Sequence, residues 1–273
     1  MTAEPVIVDT ADGSQTLFVP EYEQTMHTLS GAYSEAVIKH VAPSNVLGYD
    51  SDICVLDVGF GLGYNTLALL CKADDSGFEH KINVTALEKD RSVEKFLSGI
   101  KVDDFLQSKF DIIKEVYKTG GYSSKRVVVK LVLGDARASL RSVEPSSFDA
   151  VFHDPFSPAK NPELWTTEFF RLLHHAMERN AVLTTYSAAA HVRAAMVEAG
   201  FSIGKGPEMK PKREGTVAAV KADRIACFTP KELAEILENK RAVPYRDLTL
   251  ADEKENILAR RRQEIKARKK GLH

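Results

Sequence analysis

The sequence predicts an α/β protein whose doubly wound, mostly parallel sheet has seven strands, with the last strand antiparallel. Three observations lead to this fold. Short apolar runs alternate with helical patterns through five units, a glycine-rich turn joins the first run to its helix, and no helix separates the last two strands. We expect the sheet domain at 51–223, between an N-terminal cap segment at 1–50 and a basic, helical C-terminal extension at 224–273.

Each element follows from a local pattern. β-branched and apolar runs predict strands at 53–58, 82–88, 126–133, 148–154, 181–186, 201–204 and 214–221. Helical spacing of apolar residues predicts helices at 30–41, 64–72, 92–100, 162–177, 188–199, 229–237 and 251–273. Asn161-Pro162-Glu163 is typical of a helix start, with Asn161 as the cap. The final two strands should form an antiparallel hairpin at one edge.

Composition excludes several classes of protein. Of the 273 residues 44% are hydrophobic and 27% are charged, and the formal net charge is -1, so any nucleic acid must be bound by a local basic patch. The three cysteines show no metal-ligand spacing, so we expect no metal and a reducing compartment. The N-terminus does not resemble a signal peptide, and no apolar run approaches the roughly 18 residues of a spanning helix. A soluble, cytoplasmic protein is expected.

The glycine-rich turn carries the first functional signal. Gly59, Gly61 and Gly63 follow an apolar strand at alternate positions and precede a helix, which is typical of a sheet that binds an adenosine-containing cofactor. The dinucleotide fingerprint would require glycine at 64 or 66, and neither position has one. The turn resembles motif I of the Rossmann-like class I methyltransferases that use S-adenosylmethionine. A nicotinamide or flavin site and a turn without ligand are the alternatives.

Acidic residues stand at the ends of the predicted strands, which meet at one edge of a parallel sheet. We expect Asp57 to brace the turn, Glu88 to accept both ribose hydroxyls and Asp135 to accept from the adenine amine. Each acid alone is equally compatible with a helix cap or a solvated loop. The predicted S-adenosylmethionine site comprises Asp57, Gly59, Gly61, Gly63, Asn65, Glu88, Asp135, Ala136 and His153.

Asp154 ends the fourth strand and begins a loop that three prolines stiffen. An attacking ammonium has no lone pair and is repelled by a sulfonium, and a carboxylate can hold the amine and take its proton. Phe156, between two prolines, suits stacking on a planar group. We therefore predict Asp154 and Phe156 as catalytic residues. The plainer alternative is that Asp154 caps the loop and Phe156 packs beneath it.

The segment 153–166, HDPFSPAKNPELWT, resembles the D-x-F-x-P-x-K-N-P-x-x-W signature of the methyltransferase domain of the MnmC family. Further matches are at 59–65, 186–188, 192–193 and 212–214, and the resemblance covers about residues 15–221. It implies methyl transfer from S-adenosylmethionine to the 5-aminomethyl nitrogen of the tRNA wobble uridine. It also implies substrate contacts from Pro158, Lys160, Asn161, Ser187, Lys212 and Arg213.

Two features depart from that family. Its bifunctional members carry an FAD-dependent domain that removes a carboxymethyl group, and 273 residues leave no room for it, so the aminomethyl precursor would come from another route. Pro155 also stands where the family has glycine, as in the Asp-Pro-Pro-Tyr turn of amino-methyltransferases. Contacts to the anticodon stem-loop are expected from Lys205, Lys210, Lys212 and Arg213 and from the tail at 260–270. The plainer alternative for the tail is a solvated, charged helix that aids solubility.

Two other functions stay open on the sequence alone. A small-amine methyltransferase or a spermidine-synthase-like aminopropyltransferase shares the sheet and the acidic edge. Loss of activity on removing the tail would favour tRNA over such a small substrate. A module that only senses S-adenosylmethionine is the second alternative, and turnover with any amine would exclude it.

Overall fold

The computed structural model of the protein describes residues 4–89, 91–209 and 214–269. Two sheets are formed by the strands β1 (Val6–Asp9), β2 (Gln15–Val19), β3 (Gln24–Thr25), β4 (Ile53–Val58), β5 (Ile82–Glu88), β6 (Gly121–Ser123), β7 (Val127–Leu133), β8 (Phe148–His153), β9 (Met177–Thr185), β10 (Ser202–Lys205) and β11 (Thr216–Ala219). The first three make a small antiparallel sheet, and the other eight make the central sheet.

The central sheet has the order β10-β11-β9-β8-β4-β5-β7-β6. β4, β5, β7, β8 and β9 run parallel, and β11 lies antiparallel between β9 and β10, which confirms the predicted final hairpin. The sheet has eight strands instead of seven, because β6 pairs antiparallel with β7 at the other edge. β6 lies between the strands predicted at 82–88 and 126–133, where no strand was predicted.

Helices cover both faces of this sheet. Their bounds are α1 (Ala32–Ala36), α2 (Ala42–Ser44), α3 (Tyr64–Ser76), α4 (Glu94–Leu97), α5 (Asp104–Thr119), α6 (Ala136–Leu140), α7 (Thr167–Ala176), α8 (Ala190–Glu198), α9 (Pro230–Leu237) and α10 (Lys254–Lys269). A π-helical turn, Val37–Val41, joins α1 to α2, and 3₁₀ turns occur at Val46–Gly48, Pro162–Trp165 and Ala222–Arg224. None of the helices within the described ranges has the length and apolarity that crossing a membrane requires.

The helix predicted at 162–177 is interrupted. The extended backbone of Thr166 separates the 3₁₀ turn from α7, and the Thr166 hydroxyl accepts the main-chain N–H of Phe169 at 3.2 Å. Asn161 makes no capping hydrogen bond, so the predicted cap was wrong: the residue that caps the longer helix is Thr166. By contrast, Thr229 and Glu232 form the reciprocal capping box of α9.

The core consists of two layers, one on each face of the sheet. One layer packs α3 and α5 against the strands and includes the buried side chains of Tyr64 and Tyr117. The other packs α7 and α8 and includes Trp165, Phe169 and Phe170. Fully burying an aromatic side chain of this size contributes about 1.5–3 kcal/mol. The central sheet is thus packed against a hydrophobic layer on each of its two faces.

The C-terminal segment packs on the second layer. Val243, Tyr245 and Ile257 are buried there, and Asp247 accepts a hydrogen bond from the guanidinium of Arg137 at 2.7 Å. Breaking such a buried ion pair by removing one partner costs about 3–5 kcal/mol, because it leaves an uncompensated charge.

Two arginines of the basic tail hold α10 in place. Arg260 donates to the main-chain oxygen of Arg246 at 2.6 Å, and Arg261 donates to that of Val243 at 2.6 Å. The Arg261 guanidinium also lies 4.9 Å from the ring centroid of Tyr245. Removing the tail would therefore expose the core, and loss of activity in such a variant would not distinguish tRNA from a small amine. The expected domain limits at 51 and 223 stay a prediction.

Candidate active site

The glycine turn lies between β4 and α3, at the carboxyl edge of the sheet. Gly59, Gly61 and Gly63 have φ values of 84°, 51° and 75°. At Gly59 a Cβ atom would lie 2.9 Å from the main-chain oxygen of Asp154 and 3.0 Å from the Cα of Pro155. Glycine is required at this position, because its bare backbone lets the loop after β8 run directly against the turn.

Asn65 links two carboxylates beneath the turn. Its Nδ2 donates to Oδ2 of Asp154 at 3.1 Å and lies 3.5 Å from Oδ1 of Asp57. Asp57 is fully buried and also accepts from the Thr66 hydroxyl at 2.7 Å. Burial raises the pKa of Asp57 to about 7, against the lowering effects of Thr66 and His40. Asp57 thus braces the first turn of α3 from below.

Asp154 is fixed on both carboxylate oxygens. Oδ2 accepts from Asn65, and Oδ1 lies 3.7 Å from Nε2 of His40, while the side chain keeps an exposed fraction of 14%. Burial acts to raise the pKa of Asp154, but the electrostatic interaction with His40 and the hydrogen bond from Asn65 outweigh it and hold that pKa below its ordinary value. The carboxyl group is therefore ionised at neutral pH.

Glu88 ends β5 and lies over the glycine turn. Its Oε2 accepts the main-chain N–H of Gly61 at 2.8 Å, and its Oε1 accepts that of Lys89 at 2.6 Å. A carboxylate oxygen has two lone pairs and can accept more than one hydrogen bond. The structure thus brings Glu88 to the turn, as the prediction of a ribose acceptor requires.

Asp135 is the N-terminal cap of α6, whose first residue is Ala136. The Arg137 main-chain N–H donates to Asp135 Oδ1 at 2.8 Å, and the Arg137 guanidinium donates to both carboxylate oxygens. Burial acts to raise the pKa of Asp135, but the hydrogen bonds and charge of Arg137 outweigh it and keep that pKa below its ordinary value. The side chain is 44% exposed, so it still lies at the sheet edge while serving as a helix cap.

His153, a predicted contact of the cofactor, has its side chain buried in the hydrophobic core. Its Nε2 lies 2.8 Å from the main-chain oxygen of Leu164, and its ring packs against Trp165 and Phe170 with centroid distances of 4.5 and 5.2 Å. Burial lowers the pKa of His153 to about 4, so the imidazole is neutral. Successive strand residues face opposite sides of a sheet, and His153 faces α7.

The loop after β8 is tied to the rest of the domain. The main-chain oxygen of Phe156 accepts from the Trp165 indole at 2.8 Å, and that of Pro155 accepts from the Tyr186 hydroxyl at 3.0 Å. The Phe156 ring is stacked on Tyr22, with centroids 4.0 Å apart and planes 16° from parallel. One face of the Phe156 ring is thus covered by Tyr22. The sequence predicted stacking of Phe156 on the substrate and did not predict this contact with Tyr22.

The turn between β2 and β3 closes over the same loop. Gln24 donates to the Ser157 hydroxyl at 2.8 Å, and Lys160 pairs with Glu23 at 2.6 Å. Asn161, also predicted to bind substrate, donates to Glu163 at 2.9 Å. The N-terminal segment therefore helps to shape the loop that carries Pro158.

Ser187, a predicted substrate residue, and Lys205, a predicted RNA contact, both have partners within the protein. Ser187 is buried, and its hydroxyl accepts the main-chain N–H of Ala189 at 3.4 Å. Lys205 forms ion pairs with Glu208 and Glu214 at 3.0 and 2.9 Å. Lys210, Lys212 and Arg213 lie outside the described residues.

Comparison with known proteins identifies the family. A family model described as S-adenosyl-L-methionine-dependent methyltransferase matches residues 101–221. The crystal structure of MnmC2 from Aquifex aeolicus is 33% identical, with a TM-score of 0.86 over 96% of this chain and 85% of that chain. The chain belongs to the MnmC-like S-adenosylmethionine-dependent methyltransferases. The fold class and the cofactor predicted from the sequence are thereby confirmed.

Two relatives define how far this likeness extends. An uncharacterized protein of Methanocaldococcus jannaschii is 32% identical, over 95% of this chain and 72% of its own length. The tRNA 5-methylaminomethyl-2-thiouridine biosynthesis bifunctional protein MnmC of Burkholderia vietnamiensis is 30% identical, over 72% of this chain. This methyltransferase spans 32% of the length of that bifunctional relative.

Four buried polar residues of the N-terminal segment were not predicted, and two of them, His27 and His40, interact electrostatically with Asp154. His27, Glu35, Lys39 and His40 come from the N-terminal segment and are all buried; Lys39 is 1% exposed. The available signal was the presence of polar residues inside the apolar helical pattern at 30–41. The π-helical turn buries three consecutive residues, 39–41, which the ordinary α-helical period does not predict.

We expect the ionisation of Asp57 to lower stability as the pH rises from about 4 to 7. The pKa of Asp57 is about 7 in the folded protein and about 4 in an unfolded chain. Between these values the folded protein binds a proton that the unfolded chain has lost, so the group's contribution to stability is largest at the acid end. For an isolated group the change is about 4 kcal/mol.

Urea unfolding at pH 5 and pH 8 measures this effect. The free energy of unfolding of Asp57→Asn should decline less from pH 5 to pH 8 than that of wild type. Asp52→Asn serves as the control, because Asp52 is an exposed acid that precedes the same strand. If Asp57→Asn and wild type show the same pH dependence, Asp57 does not hold a proton in this window.

Proposed function

We propose that the protein transfers a methyl group from S-adenosylmethionine to the 5-aminomethyl nitrogen of the wobble uridine in tRNA. The observation that carries this proposal is Asp154: an ionised carboxylate at the sheet edge, beside the glycine turn, in the loop that bears the family signature. The similarity to MnmC2 and to the bifunctional MnmC protein supports the choice of substrate. Such an enzyme would act in the cytoplasm.

The residues at the sheet edge fit the cofactor. At Gly61 a Cβ atom would meet no other atom closer than 3.6 Å, so the bare main chain there is open to a ligand, and the Glu88 carboxylate lies beside it. The glycine turn and the N-terminus of α3 would hold the methionine part, Glu88 the ribose, and Asp135 with Ala136 the adenine. When bound, S-adenosylmethionine supplies a methyl group activated by a positively charged sulfur.

Asp154 would bind the amine and orient it. An alkyl ammonium ordinarily has a pKa of about 10, so the aminomethyl group arrives mostly protonated and is attracted to a carboxylate. Holding the nitrogen against Asp154 fixes its position relative to the cofactor, and effects of this kind are worth several kcal/mol of the barrier. The loop that follows Asp154 is held to the N-terminal segment by the stacking of Phe156 on Tyr22.

Several of the basic residues proposed to contact the anticodon stem-loop have partners within the protein. Arg260 and Arg261 hold the C-terminal segment in place, and Lys205 is paired with two acids. Arg262 and Lys266 are exposed on α10 and stay candidates for phosphate contacts, together with Lys212 and Arg213. Such contacts would give an affinity that decreases steeply with salt.

The decisive experiment is transfer of labelled methyl groups from S-adenosylmethionine to tRNA with 5-aminomethyl on its wobble uridine. Unmodified tRNA and a free diamine are the controls. Label in the modified tRNA alone would establish substrate, cofactor and acceptor atom together. Label in the diamine but not in the modified tRNA would favour a small-amine methyltransferase and overturn the proposal.

A further inference from the structure

A buried histidine faces the proposed catalytic carboxylate. His40 lies on the π-helical turn Val37–Val41 and has an exposed fraction of 0%. Its Nε2 makes no hydrogen bond within the described ranges, and it lies 3.7 Å from Oδ1 of Asp154. That distance is within ion-pair range and somewhat longer than a hydrogen bond, and catalytic contacts of this kind often shorten when substrate binds.

The other ring nitrogen indicates which tautomer faces Asp154. His40 Nδ1 lies 3.1 Å from the hydroxyl oxygen of Thr184, and that hydroxyl lies 3.4 Å from the main-chain oxygen of Val151. Thr184 can donate its one proton to Val151, so we assign the proton of neutral His40 to Nδ1. The lone pair of Nε2 then faces a carboxylate, and a proton placed between these two acceptors would be attracted to both.

We propose that His40 is a positioning residue that receives, through the Asp154 carboxylate, the proton that the amine substrate must lose. This inference rests on the proposed function, because only an ammonium substrate has a proton to give up before it can be methylated. The N–H bonding pair stays on the substrate nitrogen as its lone pair. The proton passes to Asp154 and forms a new N–H bond with Nε2, so the step ends with a free amine, a carboxylate and an imidazolium.

Asp57 is not the acceptor in this arrangement. Between it and Asp154 stands the amide of Asn65, which donates to both carboxylates and has no site that takes a proton from them. Histidine, in contrast, is the side chain whose ordinary titration range lies nearest neutral pH. The His40–Asp154 pair therefore offers the direct route for the proton.

Other charged or titratable groups surround this pair and contribute to its pH dependence. Asp57 from β4 and His153 from β8 interact electrostatically with His40. His27 and Tyr186 interact with Asp154 from the N-terminal segment and from the end of β9. Lys39, next to His40, donates to the main-chain oxygen of Pro207.

The test is the pH profile of methyl transfer by His40→Gln between pH 6 and pH 9.5. Glutamine keeps a donor near Asp154 but cannot accept a proton. We expect kcat to decrease about 10²-fold at pH 7 with KM changed only a few-fold. The difference in kcat between His40→Gln and wild type should become smaller at high pH. There the substrate amine is already unprotonated and needs no proton acceptor.

Controls separate this role from a structural one. His191→Gln removes another histidine with a buried ring nitrogen, packed on Tyr245, and should leave the pH profile unchanged. A His40→Gln deficit that is equal at every pH would mean that His40 only supports the fold, and an unchanged kcat would mean that it has no role. Either result overturns the proposal.

A second readout does not depend on turnover. In the ligand-free protein, the NMR signals of the His40 ring nitrogens should change in Asp154→Asn, because the carboxylate charge 3.7 Å from Nε2 is removed. Unchanged signals would overturn the coupling between the two residues. Failure of wild type with aminomethyl tRNA, combined with activity on a small amine, would contradict the proposed substrate and leave the His40 test to be made on that amine.

Discussion

Asp154→Asn should reduce methyl transfer to aminomethyl tRNA by about 10²–10⁴-fold. The substitution keeps the shape of the side chain and removes the charge that attracts the ammonium and accepts its proton. Binding of S-adenosylmethionine should stay within a few-fold of wild type, because the predicted cofactor contacts lie at the glycine turn, Glu88 and Asp135. Radiolabel transfer and calorimetry on the same preparation measure the two effects.

Asp149→Asn is the matched control. Asp149 lies on β8, the strand that Asp154 follows, and accepts the main-chain N–H of Cys54 at 2.8 Å. The same chemical change at that position should leave methyl transfer within a few-fold of wild type. A loss of cofactor affinity in Asp154→Asn, with turnover at saturating cofactor unchanged, would contradict the role proposed for Asp154.

Gly59→Ala should abolish tight binding of S-adenosylmethionine, with a loss of affinity of at least about 10²-fold. The new Cβ atom would lie 2.9–3.0 Å from main-chain atoms of Asp154 and Pro155, and main chain cannot move aside as a flexible side chain can. The glycine turn and the loop after β8 must therefore move apart. A displacement of about 1 Å at an active site can cost about 10²-fold in activity. Calorimetry with the cofactor, followed by methyl transfer, measures both consequences.

Gly77→Ala distinguishes the contact from backbone strain. Gly77 ends α3 with φ of 67°, and a Cβ atom there would meet nothing within 4 Å. This variant should lose about 1 kcal/mol of stability through its backbone conformation and keep its cofactor affinity. Equal losses of affinity in the two glycine variants would show that general destabilisation, and not the contact with Asp154, explains the effect.

Local patterns in the sequence determined the parts of the site that depend on near neighbours. The strand predicted at 82–88 has the bounds of β5, and the glycine turn lies where the spacing placed it. The loop signature at 153–166 led to the family, which the comparisons confirmed. Strand ends and tight turns can be predicted in this way, because the conformational demands that create them act within a few residues.

Only the tertiary structure decided which partners the predicted side chains have. Asp135 is bound by Arg137, which also binds Asp247, 110 residues away, while His153 faces α7 and Phe156 stacks on Tyr22. The approach of His40 to Asp154 likewise joins positions far apart in the chain. Burial and charge pairing depend on how distant segments pack, and no local pattern specifies them, so the sequence alone determined the motifs and the packing determined their contacts.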